Sequence, residues 1–187
     1  MKKIGIIGGI PGSGKSSVGK QLRQKGISVF EIDELYPDLP GEERWATFKD
    51  QFEKLVKEGR EGVFIGSFRI PNTRKEFLEI AEKHGYGISG LFFDLDPKLV
   101  TERIKKRSGE DSSHRMSKER YEESVQKWNE QFSSQDNKDL EYGPWTVVKD
   151  PEITPVKLAD EMARHLNWQK EFNIEGYLSP DQELARR

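Results

Sequence analysis

A short apolar run, Ile4-Gly5-Ile6-Ile7, breaks into Gly8-Gly9-Ile10-Pro11-Gly12-Ser13-Gly14 and resumes as a helical pattern from Lys15-Ser16-Ser17. Strand, glycine loop and helix in that order leave a chain few options. Glycines let the backbone curl until several N–H groups point inward, which makes a nest for anionic oxygens. The helix opening near Gly14 adds its positive dipole end. Gly9, Gly14, Lys15 and Ser16 fit G-x-x-x-x-G-K-[ST], the Walker A pattern, in which the lysine reaches the β- and γ-phosphates and the hydroxyl serves Mg²⁺. The flanking strand and helix separate this motif from a plain glycine-rich turn. Triphosphate contacts are assigned to Gly9, Pro11, Gly12, Ser13, Gly14, Lys15, Ser16 and Ser17, with Lys15 also catalytic and Ser16 a metal ligand.

The remaining chain alternates strands with helices. Residues 3–8, 27–32, 62–67, 88–95 and 145–149 read as strands, and residues 15–25, 42–58, 72–84, 117–133 and 154–167 as helices. A further helix starts at Asp96-Pro97, an N-cap followed by proline at the first helical position. Such alternation argues for an α/β three-layer sandwich around a five-stranded parallel sheet. In such sheets ligands sit beyond the carboxyl ends of the strands. Trp45, Phe48, Phe52 and Trp128 follow helical spacing and read as core. A length of 187 residues suits one domain, taken as 1–167 with a tail at 168–187.

Composition narrows the function classes. The net charge is −2, so a global basic field for nucleic acid is absent. With no cysteine in the chain, thiol catalysis and thiolate metal sites are excluded. No apolar stretch approaches the 18 residues of a membrane span, and the N-terminus runs directly into a strand. The expected compartment is therefore the cytoplasm, with no membrane partner.

Candidates at the other strand ends decide what happens to the phosphate. Asp33 follows the second strand and is placed to accept a hydroxyl proton from a phosphoryl acceptor, or to hold a water on Mg²⁺. The alternative is an Asp that begins a turn; Glu34 and Asp38 are rivals for the role. Arg103 and Arg107 share a helix face at i,i+4, just before the polar stretch 108–116. Basic residues outnumber acidic ones between Lys98 and Arg120. This suggests a lid over about 103–120 that brings guanidinium groups to the transferring phosphoryl, with Arg115 and Arg120 as further candidates. The competing reading is a solvated helix face. Arg69 and Arg74, after the third strand, are candidates for holding a polar or anionic part of the acceptor; for Arg69 a surface-loop role stands beside it. Asp94 and Asp96 suggest metal binding, although Asp96 is better explained as a cap. His84, His114 and His165 have no metal-ligand spacing.

These residues resemble the P-loop kinases of the nucleoside and nucleotide kinase-like superfamily. The resemblance rests on the loop from Gly9 to Ser16, on Asp33, on the Arg103/Arg107 pair before a lid, and on Asp150-Pro151, similar to the loop that contacts adenine in that group. It covers residues 1–167. Glu42-Glu43-Arg44-Trp45 and Gly66-Ser67-Phe68-Arg69 are similar to the gluconate-kinase side of a gluconate- and shikimate-kinase branch. Arg103-Ile104-Lys105-Lys106-Arg107 and residues 116–132 are similar to a polynucleotide-kinase-like branch. The resemblance implies a P-loop NTPase fold with a small helical lid. It also implies transfer of the ATP γ-phosphate to a hydroxyl of a small molecule, nucleoside or nucleic acid, with Asp33 as base and Arg103 and Arg107 as clamps. ATP and Mg²⁺ are the implied cofactors, and the basic lid keeps a nucleic-acid partner open. Ser67 stands where many P-loop proteins carry a Walker B aspartate, so metal support falls to Ser16, Asp33 and water. A nucleoside monophosphate kinase, using Arg44, Arg69 and Arg74, is the near alternative. A P-loop ATPase or nucleotide-binding regulator without a phosphoacceptor is the alternative from another class.

Overall fold

The computed structural model describes residues 2–110, 118–133 and 137–166, with side chains given for all of these except 104–110, 118–122, 124 and 133. The chain runs β1 (Lys2–Gly9), α1 (Lys15–Gln24), β2 (Val29–Glu31), α2 (Ile32–Leu35), α3 (Gly41–Lys57), β3 (Val63–Ile65), α4 (Pro71–Lys83), β4 (Tyr86–Phe93), α5 (Pro97–Glu110), α6 (Lys118–Ser133), α7 (Asp139–Tyr142), β5 (Trp145–Val148) and α8 (Pro155–His165). The five strands form one sheet in the order β2-β3-β1-β4-β5, and every pairing is parallel. The expected three-layer α/β architecture is therefore the observed one.

The alternation along β3 shows how the layers are built. Successive strand side chains point to opposite faces. Phe64 packs on Phe48 and Phe52 of α3, with ring centroids 5.4 and 4.8 Å away. On the other face Ile65 lies against Gly19 of α1, and Val63 lies against Gly5, which also abuts Met162 of α8. So α3 and α4 cover one face with an aromatic cluster, while α1 and α8 cover the other with aliphatic side chains. Burying each large side chain is worth about 1.5–3 kcal/mol, and Ile4, Ile6, Ile7, Phe48, Phe52, Phe64 and Phe77 are all fully buried.

Several elements differ from the sequence reading, among them β4, which spans Tyr86–Phe93 where 88–95 was expected. β2 covers only Val29–Glu31, where 27–32 was expected, and Asp33 lies in the first turn of the short helix α2 that follows it. β3 stops at Ile65, because Gly66 onward turns to meet β1. The four-residue helix α7 was not expected. Among the described residues no helix is long and apolar enough to cross a membrane. The centre of the expected lid, 111–117, and the tail from 168 lie outside the described residues.

Candidate phosphate and acceptor site

Because all strands run parallel, the segments after β1, β2, β3, β4 and β5 emerge at one edge of the sheet, where ligands collect in such folds. The loop after β1 is shaped by backbone that only glycine adopts readily. Gly9, Gly12 and Gly14 have φ of +132°, +75° and +105°. Gly9 also lies against β4: a Cβ there would sit 2.5 Å from the Phe93 carbonyl oxygen. Gly14 caps α1 without a side-chain hydrogen bond, and the first turn of α1 holds no acidic residue. The opening amides of Lys15, Ser16 and Ser17 thus have no carbonyl partner within the helix and point toward the loop. This is an anion cradle on both geometric and dipolar grounds.

Lys15 folds back over the cradle, its Nζ donating to the carbonyls of Gly9 (3.0 Å) and Ile10 (2.8 Å). Burial pushes its pKa down to about 8, against the pull of the Glu31 and Asp33 carboxylates. Phosphate pairing favours the ammonium, so triphosphate binding takes up a proton wherever the free protein has lost it. Affinity for Mg-ATP should be flat below about pH 8 and should fall by up to about tenfold per unit above it. Calorimetric titration at pH 9 in two buffers of different ionisation heat counts that proton; no uptake contradicts the expectation.

Glu31 is the residue the sequence reading overlooked. It ends β2 and is only 7% exposed. Ser16 Oγ donates to its Oε1, while its Oε2 is buried with no hydrogen-bond partner. Burial pushes the Glu31 carboxyl up, and the Ser16 hydrogen bond opposes that shift. A hydroxyl whose proton is committed to a carboxylate keeps its lone pairs free for a cation. Ser16 and the orphaned Glu31 oxygen are thus hard oxygen donors of the kind Mg²⁺ takes. Among the described residues no group of three or more His, Asp or Glu side chains is arranged to hold a metal ion. The signal in the sequence was a lone acid between Phe30 and Ile32 at the carboxyl end of a strand.

Asp33 is exposed and accepts a 2.9 Å hydrogen bond from Arg44 Nη1. Arg44 in turn donates to the carbonyls of Leu39 and Pro37, tying the 36–40 turn to the start of α3. Glu34, the rival acid, pairs with Arg23 of α1 instead. The 66–70 loop joins β3 to α4. It is locked to β1 by Gly66 N donating to Ile7 O (3.1 Å) and Gly9 N donating to Ser67 O (2.9 Å). Arg69 is half-buried on this loop. Its Nε has no hydrogen-bond partner, and burial lowers the pKa of its guanidinium.

Arg74 corrects the sequence reading. It was expected to reach the acceptor, but it is fully buried. Its guanidinium is occupied by Asp139, Asn137 and the backbone carbonyls of Phe68 and Arg69. The helical period explains this: Arg74, Phe77 and Ala81 share the inward face of α4.

On the other flank of the cradle lies a cavity of about 370 Å³ between Gly12, Ser17, Phe93, Arg103, Pro151 and Ile153. Its lining mixes apolar side chains (Val18, Phe93, Ile153, Leu158) with Ser17 and the Arg103 guanidinium. Arg103 Nη2 donates to the Pro151 carbonyl, which joins the start of α5 to the β5–α8 turn. Asp150 turns that segment by accepting from Glu152 N (2.9 Å). Asp96 accepts from Lys98 N (2.8 Å) and caps α5, as expected. The side chains of Arg107 and Arg120, and residues His114 and Arg115 altogether, lie outside what the structure describes.

The sheet order, the glycine-lined cradle and the residues at the strand ends define a P-loop kinase fold. The family model described as "AAA domain" matches residues 5–133, and the chain belongs to that family. Among solved structures the fold is similar to that of a gluconokinase from Sinorhizobium meliloti 1021, at 21% identity and TM-score 0.65, covering 89% of this chain and 93% of that one. It is also similar to a sugar kinase from Janibacter sp. HTCC2649, at 16% identity and TM-score 0.64, covering 89% and 95%. The Deinococcus radiodurans tunicamycin resistance protein aligns at 16% identity and TM-score 0.52, covering 96% and 99%. Comparison with curated protein sequences yields no match.

Proposed function

We propose that the protein is an ATP-dependent phosphotransferase that moves the γ-phosphate to a hydroxyl of a small, polar, sugar-like acceptor. One observation carries the reading: Asp33 stands exposed at the strand end next to the cradle, close enough for its charge to act on Lys15. A carboxylate in that place serves a hydroxyl nucleophile, as phosphoryl transfer requires. The names of the gluconokinase and the sugar kinase support the choice of acceptor.

In this reading the amides of the loop and of α1, with Lys15, hold the β- and γ-phosphates. Mg²⁺, when bound, neutralises charge on those phosphate oxygens, and Ser16, Asp33 and Glu31 are the protein groups that would hold it. The acceptor hydroxyl gives its proton to Asp33. Its oxygen forms a bond to the γ-phosphorus as the bond to the bridging β–γ oxygen breaks, and ADP leaves. Arg69 faces the acceptor. Arg103 borders the base cavity and, with Arg107, clamps the phosphoryl in transit.

Incubation with γ-labelled ATP and a panel of sugars and sugar acids, nucleosides, mononucleotides and hydroxyl-ended DNA tests this. A labelled sugar-class product is expected. A labelled mononucleotide would favour the monophosphate-kinase reading. Label recovered only as inorganic phosphate, at a rate no acceptor changes, contradicts a kinase and favours an ATPase.

A further inference from the structure

Phe68 is the one described non-glycine residue with a positive φ, at +45°. A buried aromatic residue is held in that region only when its surroundings over-determine it. Here they do. Its ring is wedged between Trp45 and Phe77, each with centroids 5.0 Å away. Its carbonyl and that of Arg69 converge on a single nitrogen, Arg74 Nη1, at 2.8 and 3.0 Å. Two successive carbonyls thus meet one donor directly after the positive-φ residue.

The rest of the Arg74 guanidinium faces a distant part of the chain. Nε and Nη2 form a two-pronged pair with Asp139 at 2.5 and 2.6 Å, and Nη2 also donates to Asn137 Oδ1 at 2.9 Å. All five N–H donors of the guanidinium are thereby used, and its plane lies over the Phe92 ring at 5.4 Å. Asn137 in turn donates through Nδ2 to the carbonyl of Phe132, near the end of α6. A buried ion pair of this kind adds little net stability, yet it defines one arrangement sharply.

We propose that Arg74 is a positioning residue that sets the Phe68–Arg69 turn, and so the aim of Arg69 into the acceptor site, only while the segment after α6 grips it through Asn137 and Asp139. The proposal rests on the kinase reading for the role of Arg69, but the linkage itself does not. The order of contacts is α6 end, Asn137, Arg74, the Phe68 and Arg69 carbonyls, then the Arg69 side chain with its unpaired Nε. Any shift of α6 is then felt at the acceptor loop through one buried side chain. The phosphate loop meets this path only at its edge, where Gly9 N donates to Ser67 O.

Asn137→Ala is the gentle test, since it keeps the Arg74–Asp139 pair; Asp139→Asn is the stronger one. Amide hydrogen exchange over residues 66–70 should rise by about tenfold in Asn137→Ala, the scale of one lost hydrogen bond to a charged group. Exchange over residues 12–17 and Mg-ATP affinity should stay within about twofold, because the bond between the two loops is made at Gly9, outside that stretch. The acceptor KM should rise by about tenfold while the ATP KM holds. Adding Arg69→Ala to Asn137→Ala should give an acceptor KM no worse than Arg69→Ala alone, since both act through one side chain. Unchanged exchange over 66–70, or a uniform rise across the fold, overturns the proposal even if Asp139→Asn fails to fold. A loosened loop with an unaltered acceptor KM overturns the link to Arg69. If wild type labels no acceptor at all, the kinase reading fails, and the exchange result still decides the linkage.

Discussion

Replacing Lys15 with Met is expected to lower phosphoryl transfer by about a thousandfold, the scale seen when a preorganised charge at a transition state is removed. The loss should fall on transfer and on Mg-ATP affinity, not on folding. Lys15 is an unbranched, partly buried chain, and its ammonium lies against the loop carbonyls at a desolvation cost, which lowers its pKa to about 8. Met fills nearly the same volume without that cost. The two carbonyl contacts to Gly9 and Ile10 are lost, so the melting temperature should move by only a few degrees in either direction. Single-turnover transfer alongside thermal melting separates the two effects. A collapse in melting temperature would mean that Lys15 holds the loop together instead of serving the phosphates.

Asp33→Asn is the second large effect. A positioned base contributes about 10²- to 10⁴-fold, and the amide cannot take the proton. Asp33 is exposed, and its partner Arg44 retains its hold on Leu39 and Pro37. An exposed pair of this kind is worth about 0–1 kcal/mol, so stability should be nearly unchanged. Mg-ATP affinity should fall only slightly. The kcat should drop with a smaller change in acceptor KM, because the lost interaction belongs to the transition state. Near-normal kcat in Asp33→Asn would move the base elsewhere, with Glu31 next in line by position.

Much of this site was legible before any coordinates. Gly9, Gly14, Lys15 and Ser16 announce the cradle because its geometry depends on residue type: positive φ needs glycine, and phosphate needs a cation and amides. The five strands were visible as apolar runs punctuated by Gly and Pro, and their parallel order follows from the helices between them. Other features were hidden for physical reasons. The role of Glu31 depends on Ser16, fifteen positions away, reaching it across the β1–β2 connection, and no local pattern encodes that. Arg74 misled the reading because a charged side chain after a strand end suggests a ligand. Its place on the Phe77 and Ala81 face of α4 was the contrary sign. What fills that face beside it, Asp139, is 65 residues further on. The short α7, which carries Asp139, has too few residues for a helical period to show.

The central claim is that the loop between β1 and α1 grips a triphosphate whose terminal group is passed to an oxygen beside Asp33. The most direct measurement is calorimetric titration of the folded protein with Mg-ATP, repeated with Lys15→Met and read together with amide-exchange protection of residues 9–17. The account predicts saturable one-to-one heat for wild type, protection confined to that loop and the first turn of α1, and loss of both in Lys15→Met. No heat and no protection in a protein that melts cooperatively would contradict it.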